Sequence, residues 1–412
     1  SCSLVGSEMC IRDRDFGLVG AILVFQSFAS LFVDSGFSSA LIQKKNPTER
    51  DYSTIFWFNL AMSVGIYVIL WFCAPLIARM FGDERLISLS RAMFVSFILS
   101  ALAIVQTNRL MKQMTVARVA VGNTIGLVVS GAVGIWLAIA GYGAWAIVWQ
   151  TLTLTGVKSL FLWLTTGWMP RHRLSMASLR SMFSVGLGVM SSSFLNTVSL
   201  NVYSFVIGAY YNLSQLGCYT QADKWSKMGI TSFSQIVTSS FLPVLSGFQD
   251  DKERLLRAMR KMNRFAAYLL FPTFLLLITV AEPIFHILFG TKWDEAIVLF
   301  QILVARGIFL VLTSLYNNYI LAIGRSKALV SYEIVKDVLM VAAICVTIPY
   351  GVTEMIWGQF AASGLFYVYA LVFTGHVTGY RVRNIVGDVL PYFFIALLVA
   401  CCQLAVGAWL SN

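Results

Sequence analysis

Residues 296–322 read AIVLFQILVARGIFLVLTSLYNNYILA, an apolar run long enough to cross a bilayer and carrying one charge, Arg306. A membrane span needs about 20 mostly apolar residues, and in lipid a helix satisfies its own backbone one segment at a time. Runs of this kind recur near 16–37, 53–78, 88–108, 119–141, 143–166, 183–209, 217–245, 264–289, 328–349, 352–376 and 389–410. The expected fold is therefore all-α: a polytopic integral membrane protein of about 12 spans. With 58% hydrophobic residues, 12% charged residues and a mean hydropathy of +0.76, a water-soluble fold is excluded.

The net charge of +11 points to topology rather than to nucleic acid. Most of the lysines and arginines fall in every second connection. One set holds Lys44, Lys45 and Arg50, then Arg109, Lys112 and Arg118, then Arg171, Arg173 and Arg180. It continues with the six cations from Lys252 to Arg264, with Arg325 and Lys327, and with Arg381 and Arg383. The intervening set holds Arg79, Arg85, Arg91 and Lys292. Basic connections stay on the cytoplasmic side, which predicts 249–264 inside and 290–295 outside. No nucleic-acid partner is expected.

Catalytic and metal signatures are missing. Seven cysteines show no metal spacing, and His172, His286 and His376 lie far apart without a second ligand one turn away. There is no Walker A sequence, no GxSxG and no HExxH. Neither a cofactor nor a metal is expected, and transport would not be driven by ATP bound to this chain.

Residues 1–14, SCSLVGSEMCIRDR, are polar and irregular, unlike the rest of the chain. They resemble the translation of sequencing-adapter read-through and are set aside as non-native sequence. Beyond them the chain shows weak internal similarity. Asp15-Phe16-Gly17-Leu18-Val19-Gly20-Ala21 opens a span that ends in an inner loop from Gln43 to Arg50. Gln215-Leu216-Gly217-Cys218-Tyr219 opens another that ends in a loop from Gln249 to Arg254. Parallel repeats of this type build transporters. The expected division is a five-span N-terminal bundle over 15–170, a six-span bundle over 171–376 and an additional span over 377–412.

The segments DFGLVGA (15–21), DSGFSSALIQKKNPTERDY (34–52) and GYGAWAIVWQ (141–150) with the following GWMPR (167–171) carry a resemblance. So do SLNVYSFVIGAYYNLSQLGCYTQADKW (199–225), PVLSGFQDDKERL (243–255) and LFGTKWDEAIVLFQIL (288–303). Together they resemble the oligosaccharide flippases of the multidrug/oligosaccharidyl-lipid/polysaccharide exporter superfamily, in the lipopolysaccharide and exopolysaccharide branch. The resemblance implies two helical bundles in a V around a central cavity, with the family's first helix missing from this chain. It also implies a polyprenyl diphosphate oligosaccharide as substrate, a bacterial inner membrane as location, and membrane lipids and other polysaccharide-assembly proteins as partners. Tyr203 and Ala209 stand where the family often has an acid and an arginine, so roles of those family residues do not transfer.

A charge inside a membrane is costly and is usually turned to a cavity or a partner. Arg306 lies about 15 Å into its helix at 1.5 Å per residue, with no acid one turn away. Lys224, Lys227, Thr231 and Gln235 recur at spacings of three and four on a single helix face. Lys336 has Glu333 three positions before it, the spacing of a local ion pair. Arg306, Lys224, Lys227, Thr231, Gln235 and Lys336 are the candidate substrate-binding residues, cations for a diphosphate and hydroxyl or amide groups for sugars. The competing readings are a cation-coupled multidrug exporter and a membrane-bound glycan polymerase or acyltransferase. The first calls for an acidic cavity, whereas the buried excess here is basic. The second calls for acids and histidines that converge at one interface, whereas a flippase calls for a cationic cleft open sideways to lipid.

Overall fold

The computed structural model describes residues 13–34, 41, 47–113, 115–246, 252–290, 293–322, 326–380 and 382–411. Most of the peptide 1–14, and Asp251 and Lys292 in the connections, lie outside them. The described residues contain no strand. Eight of their helices are long and apolar enough to cross a membrane.

Contacts divide the chain into two units, 1–217 and 218–412. The first contains α1 (Asp13–Asp34), α2 (Glu49–Phe81), α3 (Arg85–Met93), α4 (Val95–Lys112), α5 (Val116–Ile139), α6 (Ala144–Thr166) and α7 (Met176–Tyr210). Helix α6 packs along both α5 and α4, while α7 packs on α1 and α2. That packing of α7 carries the first unit past residue 170, where the sequence pattern draws its division, to Gly217.

Helix α2 starts where its sequence provides a cap. The Thr48 backbone N–H donates to Asp51 Oδ2 at 2.9 Å, and the Asp51 N–H donates to Thr48 Oγ1 at 3.3 Å. This reciprocal arrangement satisfies amide groups that the helix itself leaves open. Gly82 ends the helix in the left-handed region, at φ 67°. On α1, Gly17 lies so close to the Leu213 carbonyl that any Cβ there would collide with it. The glycine in the DFG motif is thus what lets α1 meet the segment after α7.

The helix α8 (Leu213–Ser246) leads into the second unit, with α9 (Lys252–Thr279), α10 (Ala281–Phe289), α11 (Asp294–Ala322), α12 (Ser326–Thr347), α13 (Val352–Thr378) and α14 (Val382–Ser411). Helix α13 packs on α11 and α12, and α9 packs on α14 and α11. An aromatic-rich core joins α9, α11, α12 and α13 through Met259, Tyr316, Tyr319, Tyr332 and Phe366.

Sequence hydropathy places a loop at 249–264 and a span at 264–289, but α9 is already helical from Lys252. Leu255, Met259, Met262, Ala266 and Leu270 are buried at the three- and four-residue spacing of one helix face. That apolar stripe outweighs the charges beside it. The helix then stops at Thr279, and α10 restarts with Pro283 in its first turn, where a missing N–H costs nothing.

Large apolar side chains remain exposed along these helices. Leu127, Val128, Ile135 and Trp136 stand out from α5, and Phe394, Ile395 and Leu398 from α14. Exposed apolar bands this extensive belong against hydrocarbon. The chain is a multi-pass membrane protein.

Candidate substrate-binding site

The candidate residues of the second unit lie on α8, α11 and α12. Helix α8 presents Lys224, Thr231 and Gln235 on an exposed face, with Lys227 half-exposed among them. Lys227 Nζ sits 2.7 Å from Asp223, one turn earlier. The Thr231 hydroxyl donates to the Lys227 carbonyl of its own helix at 2.6 Å. Ile230, on an adjoining and buried face of α8, turns inward against Gly307 of α11, where a Cβ would lie 2.6 Å from it. Glycine beside Arg306 therefore allows α8 and α11 to approach closely.

Arg306 is half-buried and reaches toward α13, not outward with the lysines. Its Nε donates to Ser363 Oγ at 3.1 Å. The Ser363 hydroxyl donates in turn to the Gln359 carbonyl at 2.9 Å. Buried Gln359 retains a side-chain carbonyl oxygen without a hydrogen-bond partner. Such a group in an apolar setting costs about 1–3 kcal/mol.

Farther along α11, a second polar level crosses to its neighbours. Tyr316 and Tyr367 place their hydroxyls 3.3 Å apart. Asn317 Nδ2 donates to Glu333 at 3.5 Å, and Glu333 pairs with Lys336 as their spacing predicts. The structure thus groups Arg306 with Ser363 and Gln359, and Lys336 with Glu333 and Asn317. The α8 stripe forms a separate exposed face of the same unit.

Two further polar centres join residues that lie far apart in the sequence. At one end of the first unit, Arg109 Nη1 lies 2.9 Å from Glu49 and its guanidinium lies over the Tyr52 ring. The Trp168 indole donates to Glu49 at 2.6 Å. The His172 and Ser175 backbone N–H groups donate to Ser53 and Thr54. The NPTERDY and GWMPR segments therefore meet, around a cavity of about 330 Å³ that also includes Arg171.

In the second unit the corresponding centre is Asp388 on α14. It accepts from Arg260 at 3.1 Å and from Arg264 at 2.7 Å, and the Tyr380 hydroxyl donates to it at 2.5 Å. Burial, aided by that bond, holds the Tyr380 phenol above its ordinary pKa. Asn263 donates to the Tyr380 oxygen at 3.4 Å, and Tyr319 from α11 reaches the Met259 carbonyl at 3.0 Å. No group of three or more metal-ligating side chains occurs among the described residues.

Residues 10–298 match the family described as polysaccharide biosynthesis protein. The teichuronic acid biosynthesis protein TuaB of Bacillus subtilis is 27% identical over 306 residues, 73% of this chain and 62% of its own length. The chain thus spans less than two thirds of that relative. The succinoglycan biosynthesis transport protein ExoT of Rhizobium meliloti is 24% identical, covering 84% of this chain and 71% of its own. Among solved structures, the lipid II flippase MurJ in an inward closed conformation superposes with a TM-score of 0.74 at 14% identity, over 95% of this chain and 87% of its own. The family match covers more than half of the chain and shows that it belongs to the polysaccharide biosynthesis protein family.

Proposed function

We propose that this chain is a flippase, not an enzyme, that turns a polyprenyl diphosphate-linked oligosaccharide across the bacterial inner membrane for cell-surface polysaccharide assembly. The observation that carries the reading is a cation deep in a span of a polysaccharide-biosynthesis membrane protein. Arg306 is held by Ser363 within a polar level of α11 and α13, half-buried and not released to either end of its helix. A guanidinium presents a fork of donors that matches phosphate oxygens. The Gln359 oxygen and the exposed hydroxyl and amide groups of Thr231 and Gln235 offer partners for sugar hydroxyls. Lys224, Lys227 and Lys336 add positive charge, two of them moderated by Asp223 and Glu333. A transport relative named for succinoglycan and the fold of a lipid II flippase support a lipid-linked glycan over a free sugar. A multidrug exporter for cationic drugs fits less well, because the intramembrane charge here is basic.

The test is export of the glycan in a strain lacking its own flippase. Arg306→Ala is expected to abolish surface glycan while the protein still accumulates in the membrane fraction. Arg306→Lys keeps the charge but loses the fork, and partial export is expected. Full export by Arg306→Ala sinks the reading.

A further inference from the structure

We propose that the second unit binds the headgroup of an anionic phospholipid in a cleft between α9 and α14, using Arg257 and Lys261 beside the Asp388 clamp. The inference stands apart from the transported substrate and rests on three features of the same place.

The first is charge. Arg257, Arg260, Lys261 and Arg264 line a cavity of about 280 Å³. A second cavity of about 240 Å³ shares Arg257 and Arg260 and extends to Tyr380 and Asn384. All four cations are exposed, and Glu253 is the carboxylate at the rim. Asp388 is 2% exposed and faces Arg260 and Arg264. It fixes those two guanidiniums in place and offsets one charge of the four. Arg257 Nε donates to a backbone carbonyl, that of Glu253, at 3.4 Å. The cleft keeps an excess of cations on rigid helices.

The second is the level at which the cleft sits. On α9 the basic positions 257, 261 and 264 are followed on the same face by Phe265, Tyr268 and Leu276. These are 51%, 59% and 49% exposed, although they are large and apolar. The band from charged to aromatic to aliphatic is the order of a membrane boundary, with tyrosine at the headgroup level.

The third is the neighbour. Helix α14 packs along α9 and exposes Leu390 and Phe394 on the hydrocarbon side. Tyr268 and Tyr392 meet edge to face across the pair, with ring centroids 6.1 Å apart. A phospholipid placed with its phosphate among the four cations has acyl chains running down an exposed apolar surface. A cluster of four or more basic residues beside a span, in a pocket between helices, suits an anionic headgroup. A soluble phosphate would use the charges and leave that surface without a role.

The test uses purified full-length protein in neutral detergent micelles. Mixed micelles carrying phosphatidylglycerol or phosphatidylcholine are titrated in, and bound lipid and thermal unfolding are measured. Wild type is expected to bind phosphatidylglycerol more tightly than phosphatidylcholine and to be stabilised by it, less so at high salt. Arg257→Gln with Lys261→Gln spares the Asp388 clamp and is expected to weaken binding about 25-fold, about fivefold per cation. Arg257→Lys with Lys261→Arg should bind like wild type, which separates lost charge from lost folding. Arg173→Gln with Arg180→Gln, exposed cations of the first unit that line neither clamp, should leave the preference for phosphatidylglycerol unchanged. Equal binding of the two lipids, or undiminished binding by the Gln pair, overturns the proposal. Inorganic phosphate or pyrophosphate that stabilises as strongly as phosphatidylglycerol also overturns it, and assigns the cleft to a soluble anion.

Discussion

Each unit closes one end with an arginine–carboxylate clamp, and the two are built inside out relative to each other. In the first, the carboxylate is the wet partner: Glu49 is 54% exposed and Arg109 24%. One charge meets one charge: Arg109 reaches both Glu49 oxygens, the Trp168 indole donates to one of the same two, and Tyr52 covers the guanidinium. In the second, the carboxylate is the dry partner. Asp388 is 2% exposed, and its two arginines are 44% and 54% exposed. A buried acid that holds two exposed cations fastens helices and leaves positive charge on the surface. An exposed acid that holds one half-covered arginine fastens helices and leaves no net charge in the clamp itself. The difference explains why the anion cleft is proposed for the second unit alone.

The alternation of basic connections predicts that both clamps lie on the same membrane face, and an all-or-none measurement can break the pairing. Cysteine replaces Met169 beside the first clamp, Glu253 beside the second, and Glu295 at the start of α11. An impermeant thiol reagent applied to intact cells is expected to label only the cysteine introduced at 295, and to label the other two after the membrane is opened. Labelling of 253 but not 295 in intact cells reverses the orientation. Labelling of one clamp position without the other puts the clamps on opposite faces and ends the likeness between them.

The largest energetic effect is expected at Asp388. Asp388→Asn keeps the shape and removes the charge that three donors share. Hydrogen bonds to a charged group contribute about 1.5–3 kcal/mol each, and the half-exposed arginines recover part of that from water. A loss of about 3 kcal/mol is expected, read as a clear fall in the thermal unfolding midpoint in detergent. No change would mean that α9 and α14 are held by their apolar contacts alone.

Much of the fold is legible in the sequence, because hydropathy measures the cost of placing each segment in lipid. Among the described residues, the apolar runs lie almost wholly in helix. The pattern errs at α9, where six cations between Lys252 and Arg264 read as a loop although the buried stripe Leu255, Met259, Met262 and Ala266 continues the helix. The Lys336–Glu333 pair is equally legible, since helical spacing alone brings those residues together. Asp388 is not. Its two arginine partners are more than a hundred positions away, and nothing in RVRNIVGDVL marks one aspartate as the centre of a clamp. The same holds for Glu49 and Trp168, which the sequence shows as two separate segments and the structure joins at 2.6 Å. Local periodicity reports contacts within an element, whereas these contacts depend on which helices become neighbours.

The smallest effect, and the sharpest test of the contrast, is expected at Glu49. Glu49→Gln leaves a side-chain carbonyl that still accepts from the Trp168 indole, so only the ion pair with Arg109 is lost. Exposed pairs of this kind contribute about 0.2–1 kcal/mol, and Arg109 keeps the Tyr52 ring beneath it. The unfolding midpoint should fall by much less than for Asp388→Asn under the same conditions, and added salt should erase most of the gap between Glu49→Gln and wild type, because water already screens this pair. Salt should leave most of the Asp388→Asn deficit in place, since its carboxylate is dry. If the two substitutions cost the same, or respond alike to salt, burial of the carboxylate is not what distinguishes the clamps. The excess cations around Asp388 would then need another explanation.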